Sequence, residues 1–98
     1  MKLRFLAEAR FEFEDAVDYY EEKEPGLGGR FNQEIRAICS MVLTHPLLWR
    51  ERPDGFRRVN CPVFPFYIAY FIRGDTILIA AIAHESRHPD YWKERMPG

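Results

Sequence analysis

The hydrophobic period of this chain changes twice. Residues 2–6 (KLRFL) alternate, with Leu3 and Phe5 on one side, which predicts a short strand. Over residues 8–23 the apolar positions recur at three-to-four spacing through Ala9, Phe13, Ala16, Val17 and Tyr20, the stripe of an amphipathic helix. Glu12, Glu14, Asp15, Asp18 and Glu22 take the remaining faces and predict an acidic exterior. The segment EPGLGG then interrupts the pattern, because proline cannot continue a helix interior and glycine relaxes the backbone for a reversal. A second helix is expected over residues 27–44, with Phe31, Ile35, Ile38, Cys39 and Val42 as its stripe and His45-Pro46 as its stop. A break this short folds the two helices into an antiparallel hairpin.

The second half reads as strands. After the turn signal Pro53-Asp54-Gly55, strands are expected at residues 56–60, 66–72 (FYIAYFI) and 76–84 (TILIAAIAH), the last two joined at Arg73-Gly74-Asp75. The last strand is apolar on both faces, so it belongs in the middle of a covered sheet. Strands joined by short turns make an antiparallel meander. With the N-terminal strand added, the order is βααβββ: an α+β fold in which a helical hairpin packs on one face of a curved antiparallel sheet. Residues 1–98 suffice for one such domain. No helix is left for the other sheet face, so something else must line it.

Composition narrows the class. With 47% hydrophobic and 30% charged residues the chain reads as an ordinary globular protein, and no stretch approaches the roughly 18 apolar residues of a membrane span. The N-terminus turns acidic too soon for a signal peptide, which makes the cytoplasm the expected location and excludes a membrane partner. Cys39 and Cys61 lack a CxxC or finger spacing and are expected as free thiols. Net charge is only −1, but residues 1–48 carry 6 Lys/Arg against 9 Asp/Glu, and residues 49–98 carry 8 against 6. Nearly all the later cations are arginine, the residue suited to bidentate contact with phosphate or carboxylate.

Candidate chemistry collects in the last stretch, AIAHESRHPDYWKER, residues 81–95. His84 and His88 are four apart, but Pro89 argues against the helix that would align them and no third ligand is in sight, so neither a metal nor a cofactor is expected. Arg57, Arg58, Arg87 and Arg95 have two readings: an anion-binding patch on the open sheet face, or solvated pairs with Glu85, Asp90 and Glu94. Alternation along a strand allows at most one of Arg57 and Arg58 on that face. Tyr91 and Trp92 are expected to cap the sheet edge and fold the C-terminus back on the core. Cleavage of RNA through its 2′-hydroxyl needs a base, a proton donor and a cation, and His84, Tyr91 and Arg87 are competent for those roles. No short motif here is specific to nucleases.

Taken in order, EDAVDYYEE, PGLGGRF, THP, FRRV, FPFYIAYFI with its Gly-Asp turn, and IAAIAHESRHPDYW resemble the RelE/ParE superfamily of toxins from bacterial type II toxin–antitoxin systems. The nearest branch is the ParE-like plasmid-stabilisation branch, and the resemblance spans roughly residues 6–95. It implies the same βααβββ fold, growth inhibition, and neutralisation by a cognate antitoxin. For the target it implies DNA gyrase, with ribosome-dependent mRNA cleavage as the alternative and a non-toxic interaction domain as a third reading. Assembly is open between a homodimer and a toxin–antitoxin hetero-oligomer. By strand register, Tyr67 stands where the nuclease branch holds a catalytic arginine, Glu85 stands near its second arginine, and Tyr91 matches its C-terminal tyrosine. His84 and Arg87 fit a His-x-x-Arg found in ParE-like chains, so His84, Arg87 and Tyr91 are the candidates for target contact or catalysis.

Overall fold

The computed structural model describes residues 1–96. The elements are β1 (Lys2–Phe5), α1 (Ala7–Lys23), α2 (Leu27–Thr44), β2 (Arg57–Asn60), β3 (Phe66–Arg73) and β4 (Thr76–His84), followed by a 3₁₀ turn at Lys93–Arg95. The sheet order is β1-β4-β3-β2. The expected antiparallel meander is β2-β3-β4, and β1 joins β4 in parallel, which makes the sheet mixed. No tight turn connects β1 to β4, so nothing in the chain forces them to run in opposite directions.

The helical hairpin closes on two glycines. Gly26 has φ 91°, in the left-handed region where a side chain is strained. At Gly28 a Cβ would sit 2.5 Å from the carbonyl oxygen of Val17, so only glycine lets α2 start this close to α1. The Glu21 carboxylate accepts hydrogen bonds from the backbone N–H groups of Gly26 (2.9 Å) and Gly28 (3.1 Å). One helix thereby caps the next, placing negative charge at a helix N-terminus.

The sheet has a core on each face. On the helix side Phe31, Ile35, Ile38 and Val42 of α2 and Ala9 and Ala16 of α1 meet Ile68, Tyr70, Ile77, Ile79 and Ile82. A bulge makes that set possible. Ala69 pairs with Ala81 and Tyr70 with Ile79, which leaves Ala80 unpaired. Without the extra residue Ile79 and Ile82 would point to opposite faces; with it both face the helices.

The other face carries Ala69, Ala80, Ala81 and Ala83, a shallow surface that leaves room for one large ring. Trp92 fills it and is fully buried. Its indole meets Phe56 edge-on at 4.8 Å between centroids, and its Nε1–H donates to the Tyr67 hydroxyl at 3.1 Å. Trp92 was expected at the sheet edge; it lies on the face instead, because the alanines supply a hollow and Tyr67 an acceptor. The lining of the second face is therefore the chain's own C-terminal segment. No helix among the described residues is long and apolar enough to cross a membrane.

Candidate functional site

β1 is shorter than β4, and this mismatch builds the site. Their pairing stops at Phe5↔Ile79, so the edge of β4 beyond it has no strand partner. Side chains take over. The Ile82 N–H donates to Glu12 Oε1 at 3.1 Å, and Arg95 Nη1 donates to the Ala80 carbonyl at 3.1 Å. Arg95 also forks the Glu12 carboxylate at 2.9 and 2.8 Å, the bidentate geometry that makes such pairs strong. An ion pair thus occupies the place of a missing strand segment.

Two further groups converge on the same carboxylate. The Tyr91 hydroxyl donates to Glu12 Oε2 at 2.6 Å. Arg87 Nη1 lies 3.6 Å from that oxygen, and the guanidinium carbon sits 3.6 Å from the centre of the Tyr91 ring. Burial, then the hydrogen bond and charge of Glu12, push the Tyr91 phenol far above its ordinary value of 10.0. At neutral pH Tyr91 is a committed proton donor to Glu12. The hydrogen bond to Glu12 likewise raises Arg95. Arg87 is the loosest member, with its side chain 53% exposed against 15% for Arg95.

Glu12 was assigned to the acidic exterior of the first helix; it turns inward, with its side chain 12% exposed. The signal was present. Glu12 follows Ala9 by three residues and precedes Ala16 by four, which puts it on the buried stripe between two residues too small to fill the space.

His84 closes its own turn. Its Nδ1 accepts the Ser86 N–H at 3.0 Å, which leaves Nε2 to carry the proton of the neutral ring, and the ring meets Phe66 edge-on at 5.1 Å. His88 repeats the device, with Nδ1 accepting the Asp90 N–H at 3.1 Å. Among the described residues no three or more His, Cys, Asp or Glu gather where they could hold a metal ion.

His84, Arg87 and Tyr91 line one groove of about 290 Å³ with Glu12, Asp15 and Phe66. The four arginines do not converge as a single patch. Arg57 points to the helix side and donates to the Trp49 carbonyl at 2.6 Å, whereas Arg58 stacks 3.7 Å from the Tyr67 ring centre on the opposite face. Arg87 and Arg95 pair with Glu12 rather than with Glu85 or Glu94, and Asp90 pairs with Lys93 at 2.7 Å. The acids close in sequence stand in solvent, whereas Glu12 is already oriented by the Ile82 N–H.

A second groove, of about 640 Å³, runs between α2 and the free edge strand β2. Ile38, Met41, Trp49, Val59, Val63 and Phe64 line it, and Val63 is 68% exposed. Beside the two grooves the cysteines are inert. Burial pushes the Cys39 thiol up to about 11 and Cys61 up to about 12, so both stay protonated at neutral pH.

Comparison with known proteins decides the family. The model of the ParE toxin of type II toxin–antitoxin systems (parDE) matches residues 3–89. The chain belongs to the ParE toxin family. A solved structure, the chromosomal ParDE toxin–antitoxin system from P. aeruginosa, superposes with a TM-score of 0.76 at 20% identity, covering 86% of this chain and 95% of that one. At that identity the likeness is one of fold, and it agrees with the βααβββ order. No curated protein is similar enough to match. The ParE match contains His84 and Arg87 and ends two residues before Tyr91.

Proposed function

We propose that this ParE-family toxin arrests growth by poisoning DNA gyrase and that a cognate antitoxin neutralises it. The observation that carries the choice of target is Tyr67. At the register where the nuclease branch holds an arginine, this chain has a phenol buried in the tail-side core and bonded to Trp92. A buried phenol brings no positive charge to a pentavalent phosphate. Two neighbours support the same reading. Tyr91 is held protonated by burial and by its hydrogen bond to Glu12, and Arg95 is neutralised by that carboxylate. His84, Arg87 and Tyr91 are then contact residues on the rim of one groove, with Arg87 offering the available cation.

For the antitoxin, the trough between α2 and β2 is the fitting surface. Its apolar floor and unpaired strand edge suit a partner segment that is disordered alone and orders on docking. Addition of a saturating antitoxin raises the melting temperature by mass action. The test of the target is plasmid supercoiling by purified gyrase with toxin added. Supercoiling falls, cleaved DNA accumulates, and Arg87→Ala weakens both effects. Normal supercoiling at a molar excess of toxin over gyrase contradicts the assignment.

A further inference from the structure

Glu12 is the carboxylate on which Arg87, Tyr91 and Arg95 of the tail converge, and it does more than cap a strand edge. Of its two oxygens, one takes the Ile82 N–H and one arm of Arg95; the other takes the Tyr91 hydroxyl and the second arm of Arg95. That leaves Arg87 at 3.6 Å, outside hydrogen-bond distance, facing a carboxylate whose charge Arg95 already neutralises. Arg95 thus takes up most of the Glu12 charge, and Arg87, the most exposed member, is the cation held least tightly, with Asp15 and Glu8 on the neighbouring rim. The Tyr91 ring, held by its hydroxyl, is the surface over which the Arg87 guanidinium sits, 3.6 Å from the ring centre. A cation stacked in this way spends little conformational entropy when it meets an anionic group, because the ring has already limited its rotamers.

We infer that Glu12 is a positioning residue: through Tyr91 it presents the Arg87 guanidinium, stacked and only loosely paired, to an anionic group on the toxin's target. The ligand class is a carboxylate or phosphate, which a planar guanidinium reads in bidentate fashion. This rests on the reading of Arg87 as a contact residue, and it adds a residue outside the tail that sets how that contact works.

The test uses the full chain, induced in cells without antitoxin, and reads the inducer level that halves growth at matched toxin abundance. Glu12→Gln keeps an oxygen for the Ile82 N–H and removes the charge that holds Tyr91 and Arg95. It is expected to lower potency at least tenfold. Ile35→Val, a mild core change in α2 away from the cluster, separates positioning from stability and is expected to stay within about twofold of wild type. A second readout is the Arg87 side-chain Nε–H in NMR relaxation, ordered in the wild type and disordered in Glu12→Gln while β4 amides stay rigid. Full potency of Glu12→Gln alongside an inactive Arg87→Ala overturns this inference alone. Equal losses in Glu12→Gln and Ile35→Val also overturn it, since stability then explains both. Full potency of Arg87→Ala removes the contact reading itself.

Discussion

The two faces of the sheet are built by different means. The helix-side core is largely apolar and is assembled from α1, α2 and all four strands, with aromatic rings of Phe31, Phe64, Phe66 and Tyr20 packed together. The tail-side core is smaller. It rests on one indole over a floor of alanines, and the segment that carries the indole is fastened by charges at Glu12 and by Lys93 between Asp54 and Asp90. A hydrophobic core of the first kind is indifferent to pH and salt at moderate values, whereas the fastening of the second depends on groups that titrate and are screened. The candidate contacts sit where the two meet: Ala16, Tyr20, Phe66 and Ile82 of the helix-side core floor the groove, and Arg87 and Tyr91 of the tail form its rim.

The sharpest way to break this comparison is at its shared strand. Ile79 is fully buried on the helix side of β4, and Ile79→Asp buries an unpaired carboxylate at a cost of several kcal/mol, against a typical total of about 5–15 kcal/mol. The variant is expected to be unfolded by far-ultraviolet circular dichroism. A cooperative transition near the wild-type midpoint would contradict the assignment of Ile79 to the core.

Trp92→Ala strikes the tail side alone. Removing a buried indole costs about 3–5 kcal/mol and uncovers Phe56, Tyr67 and Phe71. The expected result is a folded but less stable protein that binds a hydrophobic dye, with helical signal retained at low temperature. Complete loss of helical signal would show that the helix-side core cannot stand without the tail.

Both cores were foreseen unequally, for physical reasons. Strict periodicity marked α2 and an unbroken apolar run marked β3, and Leu27–Thr44 begins and ends where Pro25-Gly26 and His45-Pro46 require. The Ala80 bulge was invisible, because an apolar run such as IAAI satisfies either register. Trp92 was readable as core-bound but not as a face filler, since that depends on alanines of two strands meeting across the sheet. Glu12 was the largest omission. A carboxylate on a helix reads as exterior until its partners, Tyr91 and Arg95, are brought 79 and 83 residues along the chain to meet it.

Smaller effects sharpen the contrast. Tyr91→Phe deletes one charge-assisted hydrogen bond while Arg95 continues to neutralise Glu12, and is expected to lower stability by about 1 kcal/mol in urea unfolding. No measurable loss would mean that the phenol contributes nothing to holding the tail.

The pH dependence separates the faces again. Cys39 and Cys61 pack against the helix-side core, and their folded values of about 11 and about 12 stand above the ordinary 9.0. Raised values mean that the folded state keeps protons the unfolded chain releases. Their contribution to stability is complete below pH 9 and declines as pH rises through the folded values. Tyr91 adds a tail-side decline that begins only above its ordinary 10.0. Replacing both cysteines with alanine is expected to move the onset of alkaline destabilisation upward by about one pH unit. An unchanged onset would assign it to other groups.

The central claim is that the tail is a contact surface fastened by Glu12 and carries no machinery for cutting RNA. Primer extension on mRNA bound to translating ribosomes, with purified toxin added, tests it most directly. The account predicts intact message, identical to the control without toxin. Discrete cuts within the ribosomal A site, present with the wild type and lost with Tyr91→Phe, would contradict it and make Tyr91 a catalytic residue.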